Sequence, residues 1–489
     1  MKSLILILAL AAIMEAQVVA AENTRVEESL QIGRRKQLFV DDYIVDQKTN
    51  VTRRLGTVVR ENDGRPVMEP HEREYPLYFG VYSTVLRDEE KFKMWYLATN
   101  KPDYDVGYAE SQDGIYWIRP NVGEGTKNNF VFQGHGFSCF IDPNEKDPNH
   151  RYKAAYGPAG KYPKSQKAIH LAHSPDGIHW IPYHNGKAVL PRTAIPHPRI
   201  EGRTYVTASD THSQIIWDGE ANVYRMFTRD IYVGPREGDD RKVSRGTRSM
   251  TNPDVKANPT GWTMVRSWEF DHEGPEEYKY RQIYALTDWM YEGVHFALMS
   301  VLKTGGLIDF YIGTSRDADH WDLSWVYAGQ PMVPPGPKDS FDAAGAFPFS
   351  QIVTWQDRHW LYYGAMDKGH KDKENCMTIG LATLRLDGFV SLAAGPEPGI
   401  VTTKPFKLNG SNLEVNVDAS GGEVTVEVQD AAGRPIPGFT RQDCREIRGI
   451  DELRLQPRWD ADLASLNGKI VRLRFDLQNA QLYAFKVDS

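Results

Sequence analysis

The stretch that decides the fold is Gly107–Trp117, GYAESQDGIYW, because the chain repeats it. Further copies of this phrase run over 170–180, 311–321 and 380–389. Their spacing predicts five units of roughly 65–70 residues, with a degenerate copy around 245–262. A repeat of this length limits the architecture before any other feature is considered, because each unit must be one small supersecondary structure.

Each unit is predicted to be β-structure. Two runs of strand-forming residues joined by a polar turn precede the phrase; in the first unit they are Val81–Leu86 and Phe92–Leu97. The phrase adds a third strand, an Asp-Gly turn and a Trp that begins a fourth strand. The predicted fold class is therefore all-β, a five-bladed β-propeller followed by a C-terminal β-sandwich. Because the Asp and the Trp recur, we interpret them as turn and packing residues.

Three regions follow from the rest of the sequence. Residues 1–21 combine a basic start, an apolar run and a small-residue exit, which is typical of a cleaved secretory signal peptide. Residues 30–395 are predicted to form the propeller, with 38–45 as the strand that completes its last blade. Residues 396–489 alternate apolar and polar positions and predict the sandwich. The expected location is therefore secreted or periplasmic.

Charge and cysteine content argue against several classes of protein. The net charge of −7 is unpatterned, so nucleic acid is not an expected partner. No apolar run beyond the leader approaches the ~20 residues of a membrane span. Cys139, Cys376 and Cys444 form no zinc-binding spacing, so we expect no metal or other cofactor, while leaving open a structural Ca²⁺. The sequence indicates no oligomeric state.

With its repeated blade ends such as Gly107–Trp117, its leader and its trailing β-sandwich, the chain resembles the furanosidase-type glycoside hydrolases of families 32 and 43 and their relatives. The resemblance covers most of residues 30–480. The family-32 motifs Asn-Asp-Pro-Asn-Gly, Arg-Asp-Pro and Glu-Cys do not occur in register, and Ile141-Asp142-Pro143 falls in a hairpin turn. The resemblance therefore implies a divergent branch with its own acid and base.

The candidate site residues precede the inner strand of each blade, because propellers place function at one end of the central channel. Carboxylates at these positions in at least three blades match the acid and base that glycoside hydrolysis requires. We assign catalysis to Asp210, Asp342 and Glu74, without deciding which is the acid. Arginines nearby suit an anionic sugar such as a uronate or a sulfate. The residues expected to bind substrate are His135, His212, Asp288, Trp289, Arg229 and Arg281.

These features predict a secreted glycoside hydrolase of plant or algal saccharides, exo-acting because a propeller mouth is typically a pocket. Two alternatives stay open, since fold alone does not fix function. A glycoside phosphorylase would need a basic phosphate clamp beside a single acid. A non-catalytic carbohydrate-binding propeller would keep Trp289 and the arginines without an axial pair of carboxylates. The sequence does not give the sugar, the linkage or the stereochemical outcome.

Overall fold

The computed structural model describes residues 29–99, 104–122, 128–159, 168–208, 210–235, 242–270 and 280–488. These residues fold almost entirely into β-structure, as the sequence predicts, and form two compact units. The larger unit comprises 57–385, and the smaller combines the chain up to 56 with 386–489. The predicted signal peptide, 1–21, lies outside the described residues. In the described ranges no helix has the length and apolar character to cross a membrane.

The larger unit is built from antiparallel meanders in which consecutive strands pair. Meander 1 consists of Thr84–Asp88, Lys91–Leu97, Asp105–Ser111 and Phe130–Gln133. Meander 2 consists of His135–Ile141, Tyr152–Gly157, His170–Ser174 and Ile181–Pro182. Meander 3 consists of Gln214–Asp218, Val223–Val233, Val243–Asn252 and Thr263–Trp268. Meander 4 consists of Gln282–Tyr291, Val294–Leu302 and Ile308–Ser315. Meander 5 consists of Gly345–Pro348, Val353–Trp355, Arg358–Met366, Met377–Arg385 and Val59–Arg60.

The connections add a few short elements. Ala194–Pro196 and Thr204–Ala208 extend meander 3 beside Val223–Val233. A single parallel bridge between Ile308 and Gly345 joins meanders 4 and 5. The helical segments of the described residues are the α-helix Ser324–Tyr327 and the 3₁₀ turns Asn62–Gly64, Pro76–Tyr78, Pro148–His150, Tyr183–Gly186, Thr304–Gly306 and Leu463–Leu466.

The repeated phrase forms the third strand of its meander and the turn that follows it, as predicted. Oδ1 of Asp113 accepts hydrogen bonds from the backbone N–H groups of Ile115 and Tyr116, and later copies make the same turn. Gly177 has φ +82°, and a Cβ there would lie 2.5 Å from the ring of Trp95 in the preceding meander. Nε1 of Trp95 donates to the carbonyl oxygen of Gly177 at 2.6 Å. The phrase therefore fixes one meander against its neighbour and has a structural role.

The strand that closes meander 5 is not the predicted one. The sequence predicts 38–45 in this position, but Val59–Arg60 pairs with Met377–Arg385. Gln37–Leu38 and Val45–Thr49 pair instead with C-terminal strands of the smaller unit. That prediction was wrong because an apolar pattern identifies a strand and not its partner, and Phe39 is buried in the core of the smaller unit.

The smaller unit contains two antiparallel sheets within the described chain. One has the order Val51–Leu55, Val390–Ala394, Ala480–Asp488, Asn412–Asp418 and Asp451–Leu455, with Gln37–Leu38 added to Ala480–Asp488. The other has the order Val45–Thr49, Gly399–Thr403, Ile470–Gln478, Glu423–Asp430 and Ile447–Arg448, with Phe406–Lys407 added to Ile470–Gln478. Alternate side chains of both sheets, including Phe475 and Phe485, fill one apolar core together with Phe39, which directly follows Gln37–Leu38.

Side-chain hydrogen bonds join the first strands of the meanders to one another. Nε2 of Gln214 donates to the carbonyl oxygens of Asp288 at 2.9 Å and Ser350 at 3.0 Å, and its Oε1 accepts from the Asp288 N–H at 2.6 Å. The Ser350 hydroxyl lies 2.6 Å from the Thr84 hydroxyl, which accepts from the Cys139 N–H at 3.3 Å. We call these five buried residues the polar ring. One comes from each meander, so the ring fixes the first strands against one another.

Replacement of Gln214 by Met should destabilise the larger unit, because three backbone groups would lose their partners at nearly constant side-chain volume. Each unpartnered buried group costs about 1–3 kcal/mol, so we expect a loss of about 3 kcal/mol or more in the free energy of unfolding. Urea denaturation followed by Trp fluorescence measures it. The matched control is Gln351→Met, in the segment just before Val353–Trp355, because its half-buried side chain lines a cavity. Equal losses in the two variants would contradict the role of the ring.

Candidate functional site

Aromatic and basic side chains gather at the amino-terminal ends of the first strands. We call this group the axial cluster, and it draws on all five meanders. Its members are Tyr82, Tyr104, His135, Asp210, His212, Arg229, Arg245, Tyr284, Phe347 and His370.

Aromatic rings form the floor of the axial cluster. The ring centroid of Tyr82 lies 5.3 Å from that of His135, 5.8 Å from that of His212 and 6.2 Å from that of Phe347. Its hydroxyl lies 3.4 Å from the hydroxyl of Tyr284. Tyr82, His212, Tyr284 and Phe347 are all buried, so the floor is a closely packed surface with polar edges.

Two tyrosines of the cluster have strained backbones. Tyr82 has φ +56° and Tyr104 has φ +49°, a left-handed conformation that bulky side chains rarely adopt. Holding a residue in this backbone conformation costs about 1–3 kcal/mol of folding free energy, and residues of this kind concentrate at functional sites. Gly136 has φ +62°, and a Cβ there would lie 2.0 Å from the Thr211 oxygen, so only glycine brings the two segments this close. The backbone therefore holds the rings, including His135 at 4.5 Å from Tyr104, in fixed positions.

One side of the cluster is basic and carries a carboxylate. The guanidinium groups of Arg229 and Arg245 lie 5.4 Å and 5.6 Å from the ring centroid of Tyr284, within the range of cation–π contact. The carboxylate of Asp210 forms an ion pair with Nη2 of Arg229. The Asp210 side chain is 41% exposed and that of Arg229 only 5%, so the carboxylate is accessible from outside while its orientation is fixed.

Both strongly perturbed histidines of the cluster are neutral at pH 7. Burial lowers the pKa of His212 to about 3, and the nearby His135 contributes. Burial and then the charge of Arg245, among nearby cations, lower the pKa of His370 to about 4. Burial, followed by the proximity of Tyr284, raises the pKa of Tyr82 well above its usual value. These groups therefore act as neutral hydrogen-bonding groups rather than as acids.

The low pKa of His212 makes stability depend on pH. Below about pH 6.5 the unfolded chain binds a proton at this residue and the folded chain does not, so stability is lost as pH falls. We expect His212→Asn to remove a slope of about 1.4 kcal/mol per pH unit between pH 6 and pH 4. Urea denaturation across this range tests it, with the exposed His320→Asn as control. An unchanged slope in His212→Asn would show that the histidine is not neutral in the fold.

Glu74 lies in a set of contacts with side chains outside the axial cluster. Its Oε2 forms an ion pair with Nη2 of Arg119 at 2.9 Å and accepts from the His71 N–H at 2.6 Å. Its Oε1 accepts from the Tyr96 hydroxyl at 2.6 Å. Both oxygens of this buried carboxylate are therefore already occupied.

Asp342 has nearly the same surroundings in meander 5. Its Oδ2 accepts from Nε of Arg60 at 2.8 Å and from the Tyr363 hydroxyl at 3.1 Å, and its Oδ1 accepts from the Ser340 hydroxyl at 2.9 Å. The structure thus brings Asp210 into the axial cluster, whereas Glu74 and Asp342 each sit in an ion pair with an arginine and a tyrosine.

The two ion-paired carboxylates belong to a recurring arrangement. Tyr96 faces Gly107 across its sheet, and Tyr363 faces Gly380. A Cβ at either glycine would lie 2.4 Å from the facing ring, so glycine makes room for the tyrosine. Both glycines begin copies of the repeated phrase. Recurrence favours a structural role for Glu74 and Asp342, although their assignment to catalysis stays an untested prediction.

Asp288 and Trp289 lie toward the other end of the first strands. The sequence places them ahead of an inner strand, but the strand spans Gln282–Tyr291, so both lie near its carboxyl end. They line a cavity of about 360 Å³ together with Arg87 and side chains from the other first strands. His295 Nδ1 lies 2.7 Å from the buried Asp288 carboxylate. Their expected position beside Asp210 was therefore wrong, because the strand begins earlier than the sequence pattern predicts.

Arg281 is also separate from the basic side of the cluster. Its guanidinium lies 4.3 Å from the ring of Tyr327 and 5.7 Å from that of Phe270. Its Nη1 donates to the Val326 carbonyl at 3.5 Å. Of the two arginines assigned to substrate binding, only Arg229 lies in the axial cluster.

Tyr82, Tyr284, Arg245 and His370 are not among the residues that the sequence assigns to substrate binding, although Arg245 is one of the arginines that suit an anionic sugar. Tyr82 was taken into a predicted strand, but that strand begins at Thr84 and leaves the tyrosine at its mouth. Arg245 lies near the start of Val243–Asn252, beside the end of Val223–Val233, and His370 follows Arg358–Met366. Val223–Val233 and Arg358–Met366 each run antiparallel to the first strand of their meander and therefore end where that strand begins. A search that also covered the ends of the strands antiparallel to the first strands would have included Arg245 and His370.

No three His, Cys, Asp or Glu side chains within the described ranges form a group that would hold a metal ion. The expectation of no metal and no cofactor therefore stays a prediction.

No family model and no curated protein matches the chain. Among solved structures it is similar to glycoside hydrolases of propeller fold at low sequence identity. One is the BT0996 complex with RGII, 14% identical with a TM-score of 0.47, covering 67% of this chain and 92% of that one. A thermostable family-43 glycoside hydrolase is 11% identical with a TM-score of 0.42, covering 64% and 92%. An N-acetylgalactosamine deacetylase from F. plautii, in complex with blood group B trisaccharide, is 13% identical with a TM-score of 0.42, covering 70% and 97%.

Proposed function

We propose that the protein is an exported, exo-acting glycoside hydrolase whose substrate sugar binds at the axial cluster. In this proposal the five meanders are the blades of a β-propeller, and the smaller unit is a β-sandwich. The observation that carries the proposal is the meeting of side chains from all five meanders at one end of the first strands. Rings, hydrogen-bonding groups and an accessible carboxylate occur together there.

The chemistry of the cluster suits a sugar. Pyranose and furanose rings present apolar C–H faces and polar hydroxyl edges, and Tyr82 and Tyr284 offer aromatic rings with hydroxyl groups beside them. His135 and His212 add ring nitrogens on the same floor. Ligand sites are commonly concave, with rings for contact and a few polar groups for orientation.

Asp210 is the group in the cluster that suits proton transfer to a glycosidic oxygen. Its carboxylate is accessible, and the ion pair with Arg229 fixes its direction. A positioned general acid or base contributes about 10²–10⁴ to a rate. Hydrolysis also needs a second group to activate water or attack the sugar carbon. Glu74 and Asp342 are the sequence-based candidates for it, but their ion pairs favour a structural role.

Three isosteric variants separate these roles. We expect Asp210→Asn to reduce sugar release from a panel of neutral and anionic plant and algal oligosaccharides by about 10²–10⁴-fold. Glu74→Gln and Asp342→Asn should lower Tm, because each weakens a buried ion pair, and should keep activity within about tenfold of wild type. Reducing-sugar release and thermal unfolding, measured on the full chain, give both quantities.

The reverse pattern would contradict this assignment. Full activity in Asp210→Asn would remove Asp210 from the chemistry. Loss of activity at unchanged Tm in Glu74→Gln or Asp342→Asn would place the corresponding carboxylate in catalysis. Sugar binding without release by the wild-type chain would favour a carbohydrate-binding propeller.

One observation favours a glycoside phosphorylase as the second candidate. In the described part of the axial cluster a single carboxylate, Asp210, lies beside two guanidinium groups. That is the arrangement a phosphorylase needs, with one acid and a basic clamp for phosphate. Turnover that requires inorganic phosphate and yields a sugar 1-phosphate would establish it, and turnover in phosphate-free buffer would establish hydrolysis.

A further inference from the structure

The axial cluster carries more positive than negative charge. Arg229 and Arg245 lie on paired strands and face the same Tyr284 ring. Asp210 balances Arg229, whereas Nη1 of Arg245 donates at 3.0 Å to the uncharged amide oxygen of Gln282. Across the described residues of the cluster there are thus two guanidinium groups and one carboxylate.

Several nitrogens of the cluster also lack hydrogen-bond partners. In the part of the chain that the structure describes, Nε of Arg229, Nε of Arg245, Nε2 of His212 and Nδ1 of His370 are buried atoms without one. His212 is 2% exposed and Arg229 is 5% exposed. Buried polar atoms nearly always have a partner, so four such atoms in one cluster indicate a ligand, and the two guanidinium nitrogens, which can only donate, need acceptors from it.

The electrostatic environment agrees with this charge count. The pKa of His370 is lowered by burial and also by the charges of Arg245, Lys371 and Arg229, so positive potential surrounds the imidazole. Burial lowers the pKa of Arg229 as well, with Arg245 acting in the same direction. A negative group placed among these side chains would relieve the repulsion between them.

We propose that the axial cluster binds a negatively charged substituent of the sugar, a carboxylate or a sulfate ester. The inference rests on the proposed function and adds the class of substrate. A guanidinium group presents parallel N–H donors that match the oxygens of carboxylate and sulfate, and it binds them more strongly than neutral acceptors. Arg245 is the first contact, because its charge is not already balanced by a carboxylate of the described cluster.

The test compares three disaccharides that differ in one substituent: a galactose disaccharide, its 6-sulfate and the corresponding galacturonate. Titration calorimetry with the full chain measures each affinity. We expect at least one anionic sugar to bind about tenfold or more tightly than the neutral one, and Arg245→Gln to reduce the affinity for that anionic sugar about tenfold more than the affinity for the neutral sugar. The sulfated and carboxylated members show which oxyanion is the natural partner.

Arg87→Gln is the matched control. Arg87 lines the cavity at the other end of the first strands and contacts Trp355, so its loss should leave all three affinities unchanged. Thermal unfolding checks that Arg245→Gln is folded, and Arg245→Lys should retain part of the preference because it keeps the charge.

The outcomes separate this inference from the function on which it rests. If neutral and anionic sugars are bound or cleaved equally well, and Arg245→Gln affects both alike, the proposal of an anionic substrate is overturned. The proposed glycosidase activity would remain. No binding or cleavage of any sugar would overturn the proposed function and this inference with it. Tight binding of inorganic phosphate alone, with a sugar 1-phosphate as product, would overturn the proposal that the sugar carries the anionic group. It would favour the phosphorylase instead.

Discussion

The polar ring is the constraint on which the rest of the larger unit depends. First strands of separate meanders do not share a ladder of backbone hydrogen bonds, so their inner backbone groups need other partners. Gln214 supplies three of these bonds, and Thr84 with Ser350 supplies the link to the remaining strands. The ring fixes where each first strand begins. Tyr82 and Tyr284, which stand at those beginnings, are positioned as a consequence.

A second, outer set of contacts repeats from meander to meander. The carbonyl oxygen of Gly177 accepts a hydrogen bond from Nε1 of Trp95 in the preceding meander. In the same way, the carbonyl oxygen of Gly114 accepts a hydrogen bond from the hydroxyl of Tyr362 in meander 5. The ion pairs of Glu74 and Asp342 recur with the phrase as well. The axial cluster differs from these contacts because its members lie outside the repeated phrase at 107–117, 170–180, 311–321 and 380–389. Repeated positions thus build the frame, and unrepeated ones form the site.

Sequence reasoning predicted the β-structure, the meanders and the end at which polar residues gather. It identified Asp210, His135, His212 and Arg229, since each lies before a first strand or in its hairpin. It placed Asp288 at the wrong end because an apolar strand gives no sharp starting residue. The sequence did not predict which strands pair or which buried carboxylates form ion pairs. Both depend on contacts between residues far apart in the chain, and a local sequence pattern does not contain this information.

The most direct test of the account is a crystal structure of the Asp210→Asn variant with a bound sulfated or uronic oligosaccharide. We expect sugar density against Tyr82 and Tyr284, with the anionic group within hydrogen-bonding distance of the Arg245 guanidinium. Density in the cavity beside Trp289, at the other end of the first strands, would contradict it.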